Sequence, residues 1–318
     1  MTSIPLRSAS ILINEAQSAL LSGLVSASSY ARLQALAPLL PKVILVGLEC
    51  RLREEDEPVD LWICPGLDPQ TLNASAPWLH QQSWEEFAPL AALLDSGSPP
   101  WPCAFGAWTT EFDLKAWDSR SVKPPLPSSF VTFSTARPRL NIADTVAALW
   151  KGERAQDMPP NAIKQLEAII SQCPRGELAG LGFLYPRPQQ PARLMLRVQD
   201  LSDLGHILKE QLSTAQRLLE GLTSQAVIGI PFDFQQEARY SLEAYIDSPA
   251  SWKELAERMV AQGYSTPAKA EAMLDLAITP HCTEQAMITL NHVKLALHGD
   301  GFREVKAYPS ILSAMPLM

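Results

Sequence analysis

Long apolar runs are missing from this chain of 318 residues. No stretch reaches the roughly 18 uninterrupted apolar residues of a membrane-spanning helix. The apolar start is broken by Asn14, Glu15 and Gln17 behind a single early Arg7, so no secretory leader is read there. Basic charge is scarce too: 26 Lys and Arg stand against 34 Asp and Glu, a formal charge of -8. That balance argues against nucleic acid or an anionic membrane surface as partner. The five cysteines (Cys50, Cys64, Cys103, Cys173, Cys282) are scattered, odd in number and never in CxxC spacing. This reads as buried thiols in a reducing compartment, and the expected location is the cytoplasm. The five histidines include no HExxH, and His281-Cys282 stands without a second cluster, so a structural zinc site is not expected.

Apolar residues are present in quantity, 47% of the chain, enough for one large core. Closed barrels reach this length as one domain, so a single domain over 1–318 is the expectation. Segments of helical spacing alternate with paired runs of strand spacing, and the alternation recurs about every 50 to 60 residues. The five units are approximately 8–65, 67–135, 142–199, 201–247 and 251–312, each one helical stretch followed by two strands. The helical stretches are 8–38, 67–96, 142–172, 201–222 and 251–276. The turns between strands include the acidic Glu54-Glu55-Asp56-Glu57, the segment 186–190 and Gly299-Asp300-Gly301. Ten strands joined this way close into an α+β antiparallel barrel with the helices outside, or lie open as a sheet layered by helices. Parity alone leaves both architectures open.

Alternation along each strand sorts its faces. Tyr240, Leu242, Ala244 and Ile246 would face helices, leaving Ser241, Glu243 and Tyr245 inward. The same parity turns Glu49, Arg51 and Arg53 inward, opposite Val46, Leu48, Cys50 and Leu52, and adds Asp60 and Trp62 from the partner strand. Further inward candidates are Glu111, Asp113 and Lys115; Arg193, Met195 and Arg197; Asp233; His292 and Lys294; and Glu304, Lys306 and Tyr308. Residues 128–133 are partly apolar on both faces and stay unassigned. Charges inside a barrel are costly unless paired or turned to a ligand, so this lining points to a cavity for a polar substrate. Arg and Lys around an anion with Tyr between them suit a diphosphate. The alternative is that these strands show their polar face to water.

Five motifs in order carry a family resemblance. They are Gly47-Leu48-Glu49-Cys50 with the strand from Val59 to Pro65, then Glu111-Phe112-Asp113-Leu114-Lys115, then Ala192 to Val198, then Leu242-Glu243-Ala244-Tyr245-Ile246, and last Val305-Lys306-Ala307-Tyr308-Pro309. Together they resemble the ABBA-type aromatic prenyltransferases, in particular the indole prenyltransferases related to dimethylallyltryptophan synthase. The resemblance implies a ten-stranded antiparallel barrel surrounded by helices. It also implies prenyl transfer from an allylic diphosphate, dimethylallyl or geranyl, to an indole or other aromatic small molecule in natural-product biosynthesis. Glu49 takes the place of the base, and Arg193, Tyr245, Lys306 and Tyr308 carry over as substrate-binding residues. Arg51, Trp62, Lys115, Arg197, Glu243 and Lys294 join them as inward candidates. In such a mechanism side chains carry the phosphate charge, so no cofactor is required, Mg2+ is not expected to be essential, and the chain shows no DDxxD motif.

The chain departs from the family pattern at several points. Asp60 stands where the pattern has Arg, Met195 where it has Lys and Arg197 where it has Tyr, and residues 129–133 contain no Lys-x-Tyr. Each change removes a diphosphate contact. Two other readings of the same barrel follow: cyclisation or rearrangement of an already prenylated molecule started by a carboxyl proton, and a non-catalytic small-molecule binder.

Overall fold

The computed structural model describes residues 4–54, 58–66, 73, 75–95, 107–115, 117–133, 141–186, 192–232, 240–298 and 301–314. Ten strands recur in pairs: β1 (Leu45–Arg51) and β2 (Asp60–Gly66), β3 (Ala107–Phe112) and β4 (Ser128–Thr132), β5 (Glu177–Phe183) and β6 (Ala192–Val198), β7 (Gln225–Pro231) and β8 (Tyr240–Tyr245), β9 (Ala286–His298) and β10 (Gly301–Ser313). Each pairs antiparallel with the next along the chain, β8 joins β9 through Glu243↔Lys294, and β10 returns to β1 through Ala307↔Cys50 and Ile311↔Val46. The ring is therefore closed, which excludes the open sheet and leaves the barrel without edge strands. Three of the expected turn segments, 55–57, 187–190 and 299–300, lie outside the described residues, as do Cys103 and Asp233.

The helices lie on the outside of the ring. They are α1 (Ala9–Glu15), α2 (Gln17–Leu21), α3 (Ala27–Leu36), α4 (Ala76–Gln82), α5 (Ala88–Asp95), α6 (Ile142–Arg154), α7 (Pro160–Gln172), α8 (Gly205–Leu208), α9 (Glu210–Leu219), α10 (Pro249–Ala261) and α11 (Pro267–Ile278). The single long helix expected in each unit is thus broken, and the break residues explain why. Gly23 takes φ 131°, and Ser26 then caps α3. Ala155 ends α6 in the left-handed region, and Pro160 opens α7. Ser248 and Thr266 cap α10 and α11 ahead of Pro249 and Pro267, whose missing N–H costs nothing at a first helical position.

The main core fills the layer between helices and barrel wall. The outward faces of β1 and β2 supply Val46, Leu48, Cys50, Leu61 and Ile63, all fully buried. Helix α1 packs on β1 and β10, α6 on β5, and α9 and α11 on β9. A second, smaller apolar cluster of Phe130, Ala179, Leu184, Met195 and Val227 with Tyr245 is separate from this layer, and most of it faces the lumen. Among the described residues no helix is long and apolar enough to cross a membrane.

Candidate active site in the barrel lumen

Strand register decides which charges meet. Glu49 of β1 is opposite Asp60 of β2, Arg51 is opposite Lys306 of β10, Lys306 is opposite Lys294 of β9, and Lys294 is opposite Glu243 of β8. Five neighbouring strands therefore bring carboxylates and cations onto one inner surface. Lys306 Nζ and the Tyr308 hydroxyl donate to the two oxygens of Glu49. Lys294 Nζ donates to Tyr308 at 2.9 Å and lies 3.4 Å from Glu49. Arg51 joins Asp60 at 2.8 Å and Glu304 at 3.4 Å, and Glu304 also holds Lys306 at 3.0 Å. Asp60 accepts the Leu114 backbone N–H at 3.1 Å, and Lys269 donates from outside to the Arg51 carbonyl at 2.7 Å.

These contacts set the protonation states. Burial by itself would raise the Glu49 carboxyl, but Lys306, Lys294 and Arg51 outweigh it and hold the group well below the usual carboxylate range. Burial works against the charge of Lys306, and the Glu49 carboxylate overrides it and raises the ammonium. Glu243 is raised, chiefly because it is taken out of water. His292 is driven the other way by burial and then by the charge of Lys294, down to about 3, so its imidazole is neutral.

Above this network lies a cavity of about 350 Å3. One wall is aromatic: Tyr245, His292 and Tyr308 stand in a row with ring centroids 5.1 and 4.4 Å apart, the second pair stacked at 23°. Trp62 lies across Gly47, where even a methyl group would overlap the indole. Gly182 makes the same room for Phe130, and Gly229 for the stem of Arg193. The lining continues from Tyr245 into the apolar cluster of Phe130, Ala179, Met195 and Val227, with Arg193 and Arg197 entering from β6.

Of the residues nominated from sequence, Trp62, Arg193, Arg197, Glu243, Tyr245, Lys294 and Tyr308 line the cavity. Glu49, Arg51 and Lys306 stand behind it in the ion-pair network, Glu49 only 3% exposed. Lys115 is placed elsewhere. Strand β3 ends at Phe112, and Lys115 is exposed in a turn where its N–H meets Asp113 Oδ1 at 3.0 Å. Arg53 likewise falls beyond the end of β1 and is exposed. In the unassigned strand, Phe130 and Thr132 point inward, while Ser129 accepts the Trp108 indole N–H at 2.9 Å and donates to Glu153 at 3.2 Å.

Three features escaped sequence reasoning. Asp60 was legible as inward and as a departure from the family's Arg, but not as the partner that holds Arg51. The glycines that seat Trp62, Phe130 and Arg193 give no chemical signal in a sequence. His292, two places before Lys294 on the same face, was legible as inward but not as a site residue. Its two ring nitrogens, like Trp62 Nε1, make no hydrogen bond among the described residues. Among those residues no group of three His, Cys, Asp or Glu side chains is placed to hold a metal ion.

No protein-family profile matches the chain, and no curated protein matches its sequence. Similarity emerges in three dimensions. The prenyltransferase PriB, solved with L-tryptophan and dimethylallyl thiolodiphosphate, superposes with a TM-score of 0.56 at 14% identity over 96% of both chains. A 6-dimethylallyl tryptophan synthase gives the same figures. AnaPT from Neosartorya fischeri gives 0.52 at 10% identity over 98% of this chain and 95% of its own. With ten antiparallel strands closed inside a ring of helices, this chain has the fold of the ABBA aromatic prenyltransferases.

Proposed function

We propose that the lumen catalyses transfer of a prenyl group from an allylic diphosphate to an indole or other aromatic small molecule, without a metal ion. The observation that carries this reading is the division of the cavity: an apolar and aromatic surface for a hydrocarbon cation and a flat ring, with two arginines entering beside it. PriB, with the same fold, was solved with a thiolodiphosphate donor and tryptophan together. Lys294, Lys306 and Arg51 are each paired with a carboxylate, whereas Arg197 has no ion-pair partner among the described residues and its Nε makes no hydrogen bond. Arg197 is therefore the first group assigned to the diphosphate, with Arg193, which enters the cavity from the same strand, beside it and Lys294 behind them.

The chemistry follows from these positions. The C–O bond of the donor breaks with its electron pair leaving on the diphosphate, where guanidinium groups stabilise the new charge. The allylic cation rests against the faces of Tyr245 and Tyr308, which attract it and exclude water. A carbon of the acceptor ring attacks, and the ring then loses a proton to regain aromaticity. Glu49 is ionised but lies behind Tyr308, so the proton passes to the Tyr308 oxygen as the Tyr308 proton moves to Glu49. Glu49 is thus the terminal base, acting through Tyr308.

The raised carboxyl of Glu243, which lines the cavity, favours a second reading: a proton donor starting cyclisation of a prenylated substrate. A diphosphate-release assay with dimethylallyl or geranyl diphosphate and tryptophan, run in EDTA, separates the two. Release that depends on acceptor and falls about 100-fold or more in Glu49→Gln is the expected result. No release from either donor would contradict prenyl transfer.

A further inference from the structure

The hydrogen bond that orients the acceptor ring is the open question in this lumen. Glu49 is an unsuitable partner, because its two oxygens already accept from Lys306, Tyr308 and Lys294, and Lys294 and Tyr308 separate it from the cavity. His292 is the opposite case. It is 5% exposed, lines the cavity and is held rigidly by Tyr308 and Tyr245 on either side. Neither of its ring nitrogens makes a hydrogen bond among the described residues, and the Glu243 carboxylate is 3.8 Å from Nε2, too far for one. A buried polar group left unpaired in a folded protein calls for an explanation, and a ligand supplies one here.

Building on the prenyl-transfer reading, we infer that a ring nitrogen of His292 accepts the N–H of a heteroaromatic acceptor and so fixes that ring against the Tyr245–Tyr308 wall. The imidazole is kept neutral, so one nitrogen is always an acceptor. The stack on Tyr308, 23° from parallel, fixes its plane, and the acceptor N–H meets the nitrogen lone pair at the edge of the imidazole, in that plane. The acceptor class is then an aromatic heterocycle with a free ring N–H, and His292 is the residue that selects it.

Isothermal titration of indole and of 1-methylindole, with inorganic diphosphate present, tests this on wild type, His292→Phe and His292→Asn. Wild type should bind indole about tenfold more tightly than 1-methylindole, the size expected when a buried partner is left unpaired. His292→Phe, with an unchanged circular dichroism spectrum, should abolish that preference, and His292→Asn should restore part of it. If the preference comes from the extra methyl group meeting a wall, it survives in His292→Phe, and the role of His292 is overturned while the lumen still binds indoles. If wild type binds neither compound, the prenyl-acceptor reading falls and His292 with it.

Discussion

Two buried carboxyls show how position within one protein sets opposite roles. Glu49 is surrounded by Lys306, Lys294 and Tyr308 and stays ionised. Glu153 of α6 is fully buried outside the lumen, where the hydroxyls of Tyr185 at 3.0 Å and Ser129 at 3.2 Å both donate to it. Burial dominates and pushes Glu153 up to about 7 from 4.5. A carboxyl raised in the folded state takes up a proton that the unfolded chain releases. Its contribution is complete below 4.5 and lost as pH rises through 7. Glu153→Gln should therefore stabilise the protein at pH 8.5, by up to roughly 3 kcal/mol for a shift of this size, and change little near pH 4.5. Thermal melts of both proteins at the two pH values check this, and a variant less stable than wild type at pH 8.5 would show that the ionised form is welcome there. Strand parity made the inward set of charged residues legible, including Glu49, Lys294 and Lys306. It did not reveal their partners, because those arise where β10 meets β1 and β8 meets β9, pairings that join distant parts of the chain.

At the scale of elements, all ten strands were readable, Ala192–Val198 to the residue, while the helices ran together. Strands β1 and β3 end sooner than alternation suggests, which is why Arg53 and Lys115 fall outside the wall. Strands announce themselves by alternation, as in Ala192–Val198, and their outward faces are continuous aliphatic rows. The helical stretches carried the same apolar period across breaks at Gly23, Ala155 and the Ser-Pro and Thr-Pro junctions, so periodicity alone ran them together. The strand glycines have a purpose that alternation cannot show. A side chain at position 47 would stand inside the indole of Trp62. Gly47→Ala should push Trp62 out of place, costing about 1–3 kcal/mol of stability and weakening indole binding together. A melting temperature and an indole titration equal to those of wild type would mean that Trp62 has another place to rest.

For the whole molecule, closure is the governing fact. Each of the ten strands has two neighbours, so no strand leaves without breaking two ladders, and the helices cover the outer face of the same ring. Unfolding by heat or denaturant should accordingly be one cooperative transition, coincident by far-ultraviolet circular dichroism and tryptophan fluorescence. Two separated transitions would show that the units unfold independently. Closure also makes a lumen enclosed by aromatic, apolar and arginine side chains, and the function proposed for that lumen is tested most directly by mass spectrometry of the reaction product. Purified protein incubated in EDTA with dimethylallyl or geranyl diphosphate and with tryptophan or simple indoles should yield the acceptor heavier by one prenyl unit, and Glu49→Gln should not. An acceptor recovered unchanged from every combination would contradict prenyl transfer in this barrel.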